Sequence, residues 1–355
     1  MKRVLIITLL AVLISASGVC ALAQNPKVAQ VKKEAKDSSL ENPLSQLLRP
    51  GKRTPANVLS WARVRSSDIA VVSSEWSSPS WVEEVNTTGW EDGPYISSDG
   101  KELYFAYINV NLLKLPKLVQ IGPVRDTHNI CTPPCGTFPR ADLFYATKDA
   151  QGKWQEARPH PLSQDYPIGG IVLANSDKAY FMKEEKDGFQ TEICSADKVA
   201  GQWQKPQKIV ALSSRYKDDD PYVTPQGEDM FFWSNRPAAL KGNNIYYAKK
   251  TNGVWGEPVI LPEPINSNAN DMQPFLFGNT LYFSSDREGK LTIYRSALEN
   301  NTWSKPETVI SSAHGVGEPT LTADGRFLYF VQIFVNKNGD INPDIMYVKK
   351  RISGE

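Results

Sequence analysis

Residues 94–105 read PYISSDGKELYF: a proline, a short extended stretch, an Asp-Gly turn and a second stretch that ends in aromatic residues. An Asp-Gly pair between two such stretches is typical of a β-hairpin. The pattern returns along the chain, and its recurrence predicts a repeat architecture. The other copies begin at Gly170, Pro221, Pro274 and Pro319.

Tryptophan residues indicate how the repeats join. A third predicted strand follows each hairpin, and four copies then continue with a segment led by tryptophan, namely Trp154, Trp203, Trp255 and Trp303. The last copy lacks this segment, whereas an extra tryptophan, Trp76, stands before the first hairpin. We therefore predict that the segment near Trp76 pairs with the last repeat. The predicted fold is all-β, a five-bladed β-propeller over residues 59–351 closed by an N-terminal strand, with an insertion at residues 109–140 in the first blade.

The repeat resembles that of the WD40-like, TolB-type (PD40) propeller proteins. The resemblance is carried by Ser98-Asp99-Gly100-Lys101, Leu103-Tyr104-Phe105, Ser285-Asp286-Arg287 and Asp344-Ile345. It implies a propeller that is exported from a bacterial cell and used as a binding platform. It implies no particular reaction, because function lies in sites that vary on a shared fold.

The N-terminus predicts export. Lys2 and Arg3 precede an apolar run too short to cross a bilayer, and Ala21-Leu22-Ala23 offers a cleavage site for a signal peptidase. We predict a signal peptide at residues 1–23 and a periplasmic or secreted mature protein. An uncleaved anchor and lipidation at Cys20 are the alternatives.

Residues 24–58 are rich in charge, poor in aromatic residues and free of the repeat. They predict a flexible tether. The whole chain carries 40 Lys+Arg against 39 Asp+Glu, which excludes an electrostatic nucleic-acid binder, since such a protein needs a basic excess. The mature protein is expected to be a monomer without a stable membrane span.

Cysteine and histidine residues offer little metal chemistry. Cys131 and Cys135 are close enough in sequence to form a local disulfide in an oxidising compartment, whereas their spacing is not that of a paired zinc motif. Cys194 lies in a predicted strand and is expected to be a buried thiol. No cofactor is predicted, and Ca²⁺ held by carboxylates stays open as an alternative.

Acidic residues precede the first strand of each repeat, which in a propeller lies nearest the axis. We expect their carboxylates to meet at one mouth of the central channel, with Tyr95 and Tyr222 nearby. Converging carboxylates suit a cation or acid–base chemistry, whereas the structural alternative is that each one only fixes a turn. The predicted ligand-binding residues are Trp90, Glu91, Asp92, Asp165, Tyr216, Asp218, Asp219, Asp220, Asp271 and Glu318.

The function expected from these features is a non-catalytic binding module for a protein or glycan of the cell envelope. The ligand would be held at the acidic mouth and shaped by residues 109–140. The alternative is a glycoside hydrolase or lyase, which would use three carboxylates as acid, base and pKa modulator. Its candidates are Glu91, Asp92, Asp219, Asp271 and Glu318, and no catalytic role is assigned to any of them.

Overall fold

The computed structural model describes residues 69–87, 90–108, 141–163, 168–184, 190–335 and 341–352. Several predictions concern residues outside this part: the signal peptide, the tether, the insertion at 109–140 with Cys131 and Cys135, and Asp165. Among the described residues, no helix has the length and apolar character needed to span a membrane.

The described strands form five antiparallel sheets, each built from one sequence repeat. Two short strands come first, β1 (Val71–Val72) and β2 (Ser80–Trp81). Blade 1 contains β3 (Trp90–Ile96), β4 (Glu102–Ile108), β5 (Ala141–Thr147) and β6 (Arg158–Pro159). Blade 2 contains β7 (Ile168–Asn175), β8 (Lys178–Glu184), β9 (Thr191–Val199), β10 (Gln202–Trp203) and β11 (Gln207–Lys208).

The remaining blades repeat this order. Blade 3 contains β12 (Asp218–Val223), β13 (Asp229–Ser234), β14 (Asn244–Thr251), β15 (Val254–Trp255) and β16 (Val259–Ile260). Blade 4 contains β17 (Asp271–Phe277), β18 (Thr280–Ser285), β19 (Thr292–Glu299), β20 (Thr302–Trp303) and β21 (Glu307–Ser311). Blade 5 contains β22 (Val316–Leu321), β23 (Phe327–Val335) and β24 (Ile341–Lys349), with β2 as its outer strand. The predicted five-bladed propeller is confirmed.

The second strand of every blade supplies the core between blades. Its aromatic residue at the end of the Leu-Tyr-Phe pattern has no exposed surface in any blade; these residues are Phe105, Phe181, Phe232, Phe283 and Phe330. A strand covered on both faces by neighbouring blades favours such apolar runs over strict alternation. Cys194 in β9 is also buried, as predicted, and burial raises the pKa of its thiol to about 12.

The N-terminal segment closes the ring. Ser80 and Trp81 pair with Tyr347 and Met346 of β24, and Trp76 forms a bridge with Lys350. The predicted closure is therefore confirmed. The structure adds a feature that the sequence did not predict: β1 pairs with β21, so the same segment also extends the sheet of blade 4.

Trp76→Ala is expected to destabilise the propeller by about 3–5 kcal/mol, because the indole is almost fully buried where the ends of the ring meet. Urea unfolding measures this loss. Val71→Ala, at an exposed site on β1, is the control and is expected to change stability by less than about 0.5 kcal/mol. A loss at Trp76 no larger than at Val71 would show that the closing segment does not hold the ring.

Candidate functional site

Each inner strand carries a β-bulge at the same place, and the bulge decides which residue faces the axis. Pairing with the second strand shifts between Asp92 and Tyr95 in blade 1 and at the equivalent place in the other blades. The bulged residue has a positive φ in every blade: Gly93 (55°), Gly170 (50°), Asp220 (45°), Gln273 (56°) and Glu318 (62°). We call these five residues the axial ring.

Aspartate, glutamine and glutamate rarely adopt this left-handed backbone, which costs of the order of 1 kcal/mol or more. Three blades nevertheless carry such a side chain at the bulge. The two glycines make room for them: a Cβ on Gly170 would lie 2.8 Å from Oδ1 of Asp220. The axial ring thus leaves only a narrow space of about 50 Å³ on the axis.

Hydrogen bonds join the axial ring across the blades. The amide of Gly93 in blade 1 donates to the carboxylate of Glu318 in blade 5. Gln273 Nε2 donates to Glu318 Oε1 at 2.9 Å, and the amide of Glu318 donates to Gln273 Oε1 at 3.1 Å. In blade 3, Trp233 Nε1 donates to Asp220 Oδ2 at 2.7 Å. Both Asp220 and Glu318 are thereby held in fixed positions at the axis.

Asp92 and Asp219 stand one position before the ring and bring their charge to it. Burial raises the pKa of Asp92 well above its usual range, and the carboxylates of Asp220 and Asp219 raise it further. Burial also raises the pKa of Asp220, with Asp219 and Glu318 adding to the effect. The pKa of Glu318 is raised by burial and then by Asp92. Asp92, Asp219, Asp220 and Glu318 form one group of coupled acids, the axial acids.

Three of the axial acids lack the cation that buried carboxylates normally require. None of the ion pairs between described residues includes Asp92, Asp220 or Glu318. Asp92 is 2% exposed, and its Oδ1 atom has no hydrogen-bond partner in the part of the chain that the structure describes. The axis therefore holds negative potential that the described residues do not neutralise.

Asp218 and Asp271 have a different environment, although the sequence places them beside the axial acids. Both are fully buried, and each forms an ion pair with an arginine of its own blade, Arg236 for Asp218 and Arg287 for Asp271. Arg287 also donates to the carbonyl of Pro264 at 3.1 Å, and Arg236 does the same for Leu212 at 3.0 Å. Their carboxylates fix the loop that enters the blade, so the expectation that they meet at the mouth is not met.

The other predicted residues divide in the same way. Glu91 is fully buried and accepts a hydrogen bond from Thr87 Oγ1. Trp90 is 6% exposed and packs within blade 1, whereas Tyr216 is half-buried and its hydroxyl accepts from Arg215 at 3.0 Å. The structure therefore brings together Asp92, Asp219, Asp220 and Glu318, from three blades, and the predicted carboxylate from every blade is not found.

Sequence reasoning missed Gln273 and the two ring glycines. Blade 4 was represented by Asp271, yet the bulge gives the axial place to Gln273, the residue that directly precedes Pro274. Counting one position back from each proline would have found it. No group of three or more His, Cys, Asp or Glu side chains in the described ranges has the arrangement of a metal site.

A wider cavity lies at the opposite end of the channel, where the inner strands turn into the second strands. It has a volume of about 570 Å³, and we call it the funnel. Tyr95 and Tyr222, which were expected near the acidic mouth, lie beyond the axial ring and line both the narrow space and the funnel. Residues 109–140 leave blade 1 at Ile108 and return at Ala141, which pair at the other end, near Trp90.

Comparison with known proteins shows likeness of fold. No protein-family profile matches the sequence, and no curated protein matches it. One similar solved structure is a glycoside hydrolase, with a TM-score of 0.47, 10% identity and coverage of 84% of this protein and 96% of that one. A complex of BT0996 with RGII has a TM-score of 0.46, 11% identity and coverage of 86% and 97%. A protein described as TolB from Agrobacterium tumefaciens has 0.39, 13%, 73% and 90%.

The same substitution is expected to have opposite effects at two buried acids. Asp218→Asn removes one partner of a buried ion pair and should cost about 3–5 kcal/mol of stability. Asp92→Asn removes an unneutralised charge and gives Glu318 an amide donor, so it should raise the Tm at pH 8 by about 2–4 °C, the shift that roughly 1 kcal/mol produces at this size.

The pH dependence carries the same sign. A carboxyl whose pKa is raised by folding binds its proton more tightly in the native state, so stability falls as the pH rises from the unfolded pKa through the folded pKa. Thermal unfolding between pH 4 and pH 8 should show a smaller decline for Asp92→Asn than for the wild type. Equal declines would show that Asp92 contributes no proton linkage.

Proposed function

We propose that this protein is an exported, non-catalytic binding module of the TolB-like type, in which the axial acids receive a cationic group of a protein partner. A lysine or arginine side chain has the charge and the shape for this place. The observation that carries the proposal is the trio of Asp92, Asp220 and Glu318 without a cationic neighbour among the described residues, including Asp92 with its unpartnered Oδ1.

Electrostatics and space support an organic cation. Attraction between a carboxylate and an ammonium or guanidinium strengthens as water is excluded, and it offsets the repulsion that raises the pKa of the axial acids. The space of about 50 Å³ at the ring accepts one small group. Of Asp92, Asp220 and Glu318, Asp220 retains the most exposed surface, so it is the acid that an incoming cation meets.

The geometry gives less support to the carbohydrate-active enzyme. A glycosidase needs two carboxyl groups on opposite sides of a substrate bond, both able to touch it. Asp271 is committed to Arg287, and Glu91 is fully buried. Asp92 and Glu318 lie against each other rather than across a cleft. For these reasons binding, not hydrolysis, is the function that we propose.

The insertion is part of the proposal. Its two ends, Ile108 and Ala141, lie at the end of blade 1 where β3 begins, on the side of the bulge rather than of the funnel. Residues 109–140 therefore start from the face that we assign to the partner. Long segments on a rigid scaffold commonly provide recognition, and this supports a contribution to partner choice.

A peptide array tests the function. Peptides that bind the wild-type protein are expected to be enriched in lysine or arginine, and Asp220→Asn should weaken the binding of the selected peptides at least about tenfold by removing one member of a charge pair. Fluorescence anisotropy in about 150 mM salt, where exposed charges are already screened, measures the affinities of the selected peptides and of their glutamine-substituted versions.

The control is Asp177→Asn, an exposed acid in the turn between β7 and β8, which should bind like the wild type. Binding that ignores lysine and arginine, or that survives Asp220→Asn, contradicts the proposal. Calcium chloride forms a separate arm: a calcium-dependent Tm that Asp220→Asn abolishes would assign the axial acids to a metal ion instead. Product release from a neutral polysaccharide panel, lost in Asp92→Asn, would favour the enzyme.

Export has its own test. When the full-length protein is produced in a Gram-negative host with a periplasm, it is expected in the periplasmic or secreted fraction with Gln24 as its first residue. N-terminal sequencing of that fraction determines the cleavage site. Recovery of uncleaved protein from the cytoplasm contradicts export, and a fatty-acylated Cys20 would identify a lipoprotein.

A further inference from the structure

We propose that the funnel is a second binding site, distinct from the axial acids, and that it takes a neutral carbohydrate. It lies at the turn end of the inner strands, away from the start of β3 and the ends of the insertion. Its volume of about 570 Å³ falls within the roughly 300–1,000 Å³ of small-molecule sites. None of the residues predicted from the sequence as ligand-binding lies along its wall.

The wall of the funnel is fixed before any ligand binds. Tyr95 OH donates to the carbonyl of Leu173 in the next blade at 3.1 Å, and Tyr222 OH donates to that of Leu276 at 2.6 Å. Phe277 packs so tightly on Gly325 of blade 5 that a Cβ there would lie 2.7 Å from the ring. Side chains from different blades therefore hold one another in place, and binding needs little ordering of the protein.

The chemistry of the lining changes with depth. Tyr95, Phe277 and Leu276 are half-buried and present apolar surface to the cavity. The turns around them contribute hydroxyl and amide groups from Ser98, Asn175 and Gln226. An apolar wall below a polar rim matches a sugar ring, which has C–H faces and a border of hydroxyl groups.

Charge narrows the class of ligand. The residues that line the funnel include no lysine, arginine or histidine, and the acids among them are Asp99 and Glu102. Glu102 accepts a hydrogen bond from Tyr104 OH at 2.7 Å, whereas the Asp99 side chain is 56% exposed. An acidic sugar or a phosphorylated ligand would meet only like charge, so a neutral carbohydrate fits best. The size of the funnel suits a short oligosaccharide.

A neutral-glycan array followed by isothermal titration tests this inference. At least one neutral oligosaccharide is expected to bind with one site per protein molecule and a dissociation constant of roughly 1 mM or tighter. Acidic analogues of the same length should not bind. Phe277→Ala should weaken the interaction at least about tenfold by removing one apolar face.

Ala174→Trp provides a second variant, because it fills the funnel from a half-buried position without removing core atoms. It should abolish saccharide binding while the Tm stays close to that of the wild type. The matched control, Ala238→Trp, places the same bulk on an exposed loop between β13 and β14 and should bind normally.

Three results would overturn the inference: no neutral glycan binds, 2-naphthol binds where saccharides do not, or Ala174→Trp leaves saccharide affinity unchanged. Asp220→Asn distinguishes this site from the proposed function. Saccharide affinity that persists in Asp220→Asn, together with loss of the cationic peptide, establishes two sites. Loss of both ligands in that variant would merge the funnel with the axial acids and contradict a distinct site.

Discussion

The pairing of the N-terminal segment with blade 5 places the first and last repeats side by side, and the site depends on that contact. Glu318 belongs to blade 5, whereas Asp92 and the Gly93 amide belong to blade 1. These groups are far apart in sequence and meet because β2 and Trp76 complete the last sheet. The axial acids therefore lie partly at the seam where the ring closes, so the contact that makes the fold circular also assembles the charge.

Much of this architecture could be predicted from the amino-acid sequence alone. Hairpin patterns and the displaced tryptophan indicated the number of blades, the core aromatics and the closure. These features follow from local rules, since an Asp-Gly turn and a buried Phe carry the same meaning in every repeat. The second attachment, of β1 to blade 4, could not be predicted because Val71 and Val72 have no repeat pattern of their own.

The site was harder to predict because a bulge changes which side chain reaches the axis. Asp271 and Asp220 both lie shortly before a proline, yet Asp271 pairs with Arg287 whereas Asp220 directly precedes Pro221 and lies on the axis. Sequence spacing does not show which of these positions the bulge turns inward. Burial then separates acids of identical chemistry: those with an arginine support a loop, whereas those without one retain a potential for binding. The funnel escaped prediction altogether, because its aromatic residues also satisfy the pattern of a core.

The double attachment of the first strands has a mechanical consequence. Any force applied to the protein upstream of Val71 acts first on β1, a two-residue strand at the outer edge of blade 4. That short strand can detach while β2 and Trp76 remain paired with blade 5. Traction on the N-terminal side would thus be absorbed at a sacrificial edge, and the seam that carries Asp92 and Glu318 would feel the load only after that edge had yielded.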